Sequence, residues 1–231
     1  MRFVGASIRG PAHAREKRLN EDAWCARIGA SGALAVVCDG MGSRSAARIG
    51  AKAAVAAVRR AWNHWHRAPR GTAEDFIRLI EVLWRFELGT TRAEDAATTC
   101  LVCALRADES GVLLQLGDGI VGTRCANGTF VPLTPERSGF ASSTIALGTL
   151  HALRDWQMLE FRSIEPGTAF LLATDGISDD LVPERRPGFV TWIIDEIAAN
   201  PSPNRQMATA LRKWPVPHHR DDKTLIVVWK P

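Results

Sequence analysis

Carboxylates gather at four points of this chain: Glu21-Asp22, Asp39-Gly40, Asp175-Gly176 and Asp221-Asp222. Each point falls where an apolar, strand-like run ends or is about to begin. An ionised carboxylate is costly to bury alone, so acids placed repeatedly at strand ends need a partner. Divalent cations would satisfy them together. Mg2+ and Mn2+ take oxygen ligands in octahedral geometry and keep several waters, so they ask only a few carboxylates of the protein. Asp22, Asp39, Asp175 and Asp221 offer these from separate strand ends, and the residue after Asp39 is a glycine. A glycine allows close backbone approach, so the Gly40 carbonyl can also ligate. Two cations about 3.5–4 Å apart can lower the pKa of a shared water and hold a phosphate for in-line attack. The chemistry in view is hydrolysis of a phosphate ester, with no side-chain nucleophile required. A single Asp-Gly is usually just a turn. The recurrence carries the weight: an apolar run precedes Asp39-Gly40 and Asp175-Gly176, and Leu116-Gly117-Asp118-Gly119 lies between them.

The elements that must position these acids can be read from periodicity. Leu34–Cys38 is a short continuous apolar run and is expected to be a buried strand. A long Ala-rich helix is expected from there to about His66, capped by Ser43 or Ser45, with Ile49, Ala53, Ala56 and Ala57 on its packing face. A second helix is expected from about Ala73 to Leu88, with Thr72 as its cap and Phe76, Ile77, Ile80, Leu83 and Trp84 as its apolar stripe. The period then changes. Thr98–Leu105, Gly111–Leu116 and Ile120–Cys125 are short β-prone runs and suggest an antiparallel meander, followed by a hairpin signal at Asn127-Gly128. Residues 134 to 153 are loop-like, a candidate flap or substrate-contacting surface. Strands are expected at Trp156–Phe161, Thr168–Ala173 and Thr224–Trp229, with helices near Val190–Ala199 and Asn204–Trp214. The simplest arrangement is one α+β domain spanning residues 1–231, with helices over packed sheets.

Composition narrows the class. The chain has 231 residues, enough for one large core. It has no apolar run long enough to span a bilayer and no leader pattern at Met1–Ser7, so a cytoplasmic, non-membrane protein is expected. The formal net charge is +4 without any block of like charges, which gives no support to a nucleic-acid-binding tail. A phosphorylated or acidic protein partner fits the same balance. The five cysteines are odd in number and read as reduced thiols. Cys100 and Cys103 have metal-knuckle spacing, but residues three apart in a strand face opposite sides, so they read as buried core.

A rival chemistry is written in the same residues. Cys38-x5-Arg44 follows a strand and precedes a helix, the outline of a phosphate loop with a thiolate nucleophile. In that reading Asp39 would set a negative charge beside the incoming phosphate, and the other acidic points would have no role.

Asn20-Glu21-Asp22-Ala23, Val37-Cys38-Asp39-Gly40-Met41-Gly42, Leu116-Gly117-Asp118, Leu172-Ala173-Thr174-Asp175-Gly176-Ile177-Ser178-Asp179 and Asp221-Asp222-Lys223-Thr224 resemble the motifs of PPM/PP2C-type metal-dependent protein serine/threonine phosphatases of the short bacterial type. The order and spacing agree from about residue 5 to 229. The resemblance implies an α+β fold, a four-layer α-β-β-α sandwich with two central antiparallel sheets and the metal site at one end. It also implies two Mn2+ or Mg2+ ions, with a third, weaker one. Asp39 would bridge the two ions. The Gly40 carbonyl and Asp22 would serve one, with Glu21 nearby, and Asp175 and Asp221 the other. Asp118 would join Asp175 at the third. The implied reaction is hydrolysis of phosphoserine or phosphothreonine in proteins by a metal-bridging hydroxide, with Asp39, Asp175 and Lys17 as the catalytic groups and no covalent intermediate. A cognate Ser/Thr kinase would be the opposing partner. Lys17 stands where many members carry a phosphate-binding Arg, and Met41 where some carry a proton-donating His, a role His13 could take. Two non-matching readings remain: a catalytically weak phosphoprotein-binding module, and a two-metal nuclease, which lacks the basic or aromatic track such an enzyme needs.

Overall fold

Continuous apolar runs in this chain become strands buried on both faces, and those strands form two sheets. The computed structural model describes residues 1–68, 70–134 and 145–231. One sheet comprises β1 (Arg2–Ile8), β10 (Lys223–Trp229), β9 (Ala169–Ala173), β6 (Ile120–Arg124) and β7 (Phe130–Pro132), in that order. The other comprises β2 (Ala23–Gly29), β3 (Gly32–Cys38), β4 (Cys100–Arg106), β5 (Gly111–Leu116) and β8 (Gln157–Phe161). Every pairing is antiparallel. Alternation along each strand splits its side chains between two cores. In β3, Ala33, Ala35 and Val37 pack between the sheets with Phe170, Leu172, Ile226 and Val228, while Leu34, Val36 and Cys38 face the helices. Cys100 lies in the helix-side core and Cys103 between the sheets, so the pair cannot grip one metal.

Helices cover both outer faces. α2 (Ala47–Trp65) and α3 (Ala73–Glu87) pack on the second sheet, and α5 (Arg186–Trp192), the π-helical turn Ile193–Ile197 and α6 (Pro203–Arg212) on the first. Two short helices, α1 (Pro11–Arg15) and α4 (Asp175–Ser178), carry site residues. The result is the α+β sandwich of four layers that the motifs imply. Among the described residues no helix is long and apolar enough to cross a membrane.

Thr72 caps α3 as expected. Its hydroxyl accepts from the Asp75 amide at 3.1 Å, and Asp75 Oδ2 accepts from the Thr72 amide at 3.0 Å. Thr72→Ala removes the hydroxyl that satisfies an orphan helix amide and should cost about 1 kcal/mol of unfolding free energy in a urea titration. A midpoint unchanged from wild type would show that the sheet beneath, not the cap, sets α3.

Several expectations are corrected. α2 begins at Ala47, and its cap position, Ala46, makes no side-chain hydrogen bond, because residues 41–46 are spent on turns such as Arg44 N–H to the Met41 carbonyl. Its buried face runs through Gly50, Ala54, Ala57 and Ala61, and Ile49 is exposed. The meander divides: β4 and β5 pair within one sheet, but β6 crosses to pair β9 and β7 in the other. The glycine-rich Gly117-Asp118-Gly119 segment, with φ of 100° and 89° at its glycines, makes that crossing. β1 and β2 had no counterpart in the sequence reading. Trp62 and Trp65, unassigned from sequence, are buried. The expected flap falls partly at residues 135–144, outside the described residues.

Candidate metal centre

The acids converge because each closes or opens a strand at the same end of the two sheets. Asp39 follows β3, Asp175 follows β9 and begins α4, Asp221 precedes β10, Asp22 precedes β2, and Asp118 sits in the β5–β6 crossing. The backbone of Asp39 is clamped by the start of β4. Its amide donates to Thr99 Oγ1 at 2.9 Å, and its carbonyl accepts from Thr98 Oγ1 at 2.7 Å and the Thr99 amide at 2.8 Å.

The repeated Asp-Gly has a packing reason rather than a turn reason at two of its three occurrences. A Cβ on Gly40 would lie 2.5 Å from the Ala47 carbonyl oxygen, and one on Gly176 would overlap the Asp222 carbonyl oxygen. Each glycine therefore lets a second strand of chain pass against the acid that precedes it.

Asp39, the Gly40 carbonyl segment, Asp118, Asp175 and Asp221 line one cleft of about 350 Å3, with His13, Arg18, Met41, Gly42, Ser43 and Thr99. Asp22 is buried next to that wall. Its Oδ2 accepts from Thr224 Oγ1 at 2.6 Å and Thr174 Oγ1 at 3.2 Å, and its Oδ1 is buried without a hydrogen-bond partner. Asp22 and Asp175 both act electrostatically on Asp39. Burial, then the charges of Asp22 and Asp175, push the Asp39 carboxyl well above the usual range. Burial chiefly, together with the neighbouring Asp222 charge, takes Asp22 to about 8, although the Thr224 hydroxyl pulls the other way. Burial and Asp221 take Asp175 to about 6. Asp179, given no role from sequence, is raised by burial and by Asp118.

Crowded carboxylates of this kind resist ionising together. A divalent cation would reverse that, and the donor set fits one: carboxylates and a carbonyl, all hard oxygens, with an orphaned carboxylate oxygen buried beside them. Among the described residues no group of three or more His, Cys, Asp or Glu side chains is gathered closely enough to hold a metal ion by itself.

Asp222 is not part of the cleft lining. It is 2% exposed and accepts from the Gly10 amide at 2.6 Å and the Glu21 amide at 2.7 Å, with His13 Nδ1 2.9 Å away. It thereby fastens the N-terminal segment to the start of β10. Glu21 accepts two hydrogen bonds from Arg18 Nη2, at 2.8 and 2.9 Å, and also lies outside the lining.

The cationic position moves by one residue. Lys17 is exposed, has φ of 58° and does not line the cleft. Arg18 does, with Nη2 also 3.0 Å from the Gly42 carbonyl. Backbone at Lys17 is left-handed, and of the two neighbouring cations it is Arg18 that reaches the cleft. The thiol rival fails on geometry. Cys38 is fully buried in the helix-side core, absent from the cleft, and its thiol is pushed well above its normal range by burial.

With this arrangement in place, the chain can be set against known proteins. The family model of protein phosphatase 2C matches residues 9–214. The chain belongs to the protein phosphatase 2C family. As a member it is a metal-dependent protein phosphatase, a hydrolase. No curated protein sequence matches it. Among solved structures, the protein phosphatase 2C sandwich recurs in the Mycobacterium tuberculosis serine/threonine phosphatase PstP/Ppp. That structure is 20% identical with a TM-score of 0.65, over 99% of this chain and 98% of that one. The PstP catalytic domain in complex with two manganese ions is 22% identical with a TM-score of 0.65, over 98% and 96%. MsPP from Mycobacterium smegmatis, in complex with cacodylate, is 19% identical with a TM-score of 0.67, over 100% and 99%. These likenesses support the fold.

Proposed function

We propose that the chain hydrolyses phosphoserine and phosphothreonine in proteins, with two Mn2+ or Mg2+ ions held by Asp39, the Gly40 carbonyl, Asp175 and Asp221. Asp22 and Glu21 support that set from behind it, and Asp118 with Asp175 offers a third position. The observation that carries the reading is the meeting, in one cleft, of acids from four separate strand ends beside Arg18. When bound, the ions supply the activated water and a clamp on the phosphate. The residues do the rest. Thr98 and Thr99 hold Asp39 still, Thr174 and Thr224 orient Asp22, and Arg18 brings a fixed positive charge to the cleft for the phosphate. Glu21 fixes the position of Arg18. The manganese pair of the PstP catalytic domain supports the metal assignment, and the cacodylate of MsPP supports an oxyanion subsite. An opposing Ser/Thr kinase and a cytoplasmic setting belong to the same proposal.

The test is phosphate release from a phosphopeptide with metal removed by a chelator, then with Mn2+ or Mg2+ returned. Release that is indifferent to chelation defeats the proposal, and preference for a phosphodiester would point to a nuclease instead. Arg18→Ala should raise the KM for p-nitrophenyl phosphate about 10-fold or more, the scale of a lost charge-assisted hydrogen bond. Lys17→Ala should leave it near wild type. The opposite ranking would return the phosphate contact to Lys17.

A further inference from the structure

We infer that the outer face of α2 and the adjoining edge strand β2 form a cationic track that selects phosphoprotein segments with acidic residues beside the phosphorylated one. The inference rests on the phosphatase reading above and names the substrate class of that site. Over its 19 residues α2 contains no Asp or Glu. Arg48, Lys52 and Arg59 fall within a narrow arc of the helix, since steps of four and seven residues return to nearly the same face. Arg27 lies on the face of β2 that Ala23 and Cys25 turn towards the helix-side core. None of these four cations has an ion pair among the described residues. Their neighbours do: Arg60 pairs with Glu87, Arg78 with Glu74, and Arg92 with Glu94. Arg44, at the start of the same segment, already faces Glu94.

Two further features make the track more than a solvated face. Arg48 occupies the first turn of α2, where the positive end of the helix disfavours cations, and that turn holds no acid to offset it. A local choice that works against the element's own stability marks a position kept for another purpose. The track is also continuous with the cleft. Gly42 and Ser43 line the cleft, and the chain enters α2 from there, with Ala47 packed on Gly40. From Arg48 to Arg59 the helix rises about 16 Å, the length of about five extended residues. Acidic side chains several positions from a phosphoserine seated in the cleft would lie along it. An oligonucleotide is the competing anion, and the test separates it.

The experiment uses the full chain with Mn2+ and three substrates. These are a phosphopeptide with neutral flanks, the same phosphorylated core with acidic flanks, and p-nitrophenyl phosphate. Fluorescence anisotropy of the labelled acidic peptide gives binding independently of turnover. Wild type should prefer the acidic peptide through KM, and 0.5 M NaCl should erase the preference. Arg48→Glu with Lys52→Glu should cut the acidic-to-neutral ratio of kcat/KM about tenfold or more, with the thermal midpoint equal to or above wild type because the helix end now carries acids. Arg48→Gln with Lys52→Gln should give an intermediate loss. Equal KM for the two peptides in wild type, or an equal loss on both in the variant, overturns the track. So does tighter binding of a single-stranded oligonucleotide than of the acidic peptide. Failure of wild type to turn over any of the three substrates would sink the phosphatase reading instead, while the anisotropy ranking would still decide the track.

Discussion

Asp39→Asn is expected to lower phosphopeptide turnover by about a thousandfold or more while the protein stays folded. A clamp of divalent cations stabilises transition-state charge by several kcal/mol, and each 1.36 kcal/mol lost is a factor of ten in rate. Asp39 is the acid to which the others refer: the charges of Asp22, Asp175 and Asp221 all bear on it, and its backbone is held by Thr98 and Thr99 just before β4. Asparagine keeps the shape but removes the charge that two cations would share. Turnover should therefore fall through kcat, with the circular dichroism and thermal midpoint of the metal-free protein unchanged or improved. A variant within tenfold of wild type would remove Asp39 from the centre of the site.

The second large effect concerns stability. In the metal-free protein the carboxyls of Asp175 and Asp22 titrate near 6 and 8 against 3.8 in a free chain. The folded state therefore holds these protons more tightly than the unfolded state. The stability this gives is complete below about pH 4 and is lost as the pH rises through 6 and towards 8. For Asp175, a rise of roughly two units is worth on the order of 3 kcal/mol. Urea unfolding of chelated protein should show a lower midpoint at pH 8 than at pH 5. Mn2+ at a hundred times its dissociation constant should return about 2.7 kcal/mol at pH 8. Asp175→Asn should flatten the dependence. A midpoint that rises from pH 5 to pH 8 without metal would contradict the crowding of the acids.

What could be read in the sequence follows from how much each segment is buried. β3, β4, β5, β9 and β10 are covered on both faces, so their continuous apolar runs announce them. β2 escaped because it is an edge strand whose residues from Arg27 to Gly29 are exposed. β1 is announced only by the alternation of Val4, Ala6 and Ile8, a short signal interrupted by Gly5. The acids that line or adjoin the cleft were legible as a set, since each is pinned to a strand end. The groups around them were not. Thr174 and Thr224 lie within two quoted motifs, one residue before Asp175 and three after Asp221, yet their grip on Asp22 is a contact between strands far apart in sequence. Motif spacing singles out Lys17 rather than its neighbour Arg18, because spacing assumes regular backbone and Lys17 has a positive φ. No local signal at Asp222 foretells its bonds to the Gly10 and Glu21 amides.

The placement of β10 bears on when the enzyme can first act. β10 lies between β1 and β9, and Asp222 at its start anchors the amides of Gly10 and Glu21, more than 200 residues earlier. A growing chain on the ribosome therefore holds β1 and the Arg18 segment without their partner until synthesis has passed residue 229. Pairing across such a span is slow to form. A product that stops short of β10 lacks an inner strand of one sheet and the anchor of the Gly10 and Glu21 amides at once, so two distant parts of the fold fail together.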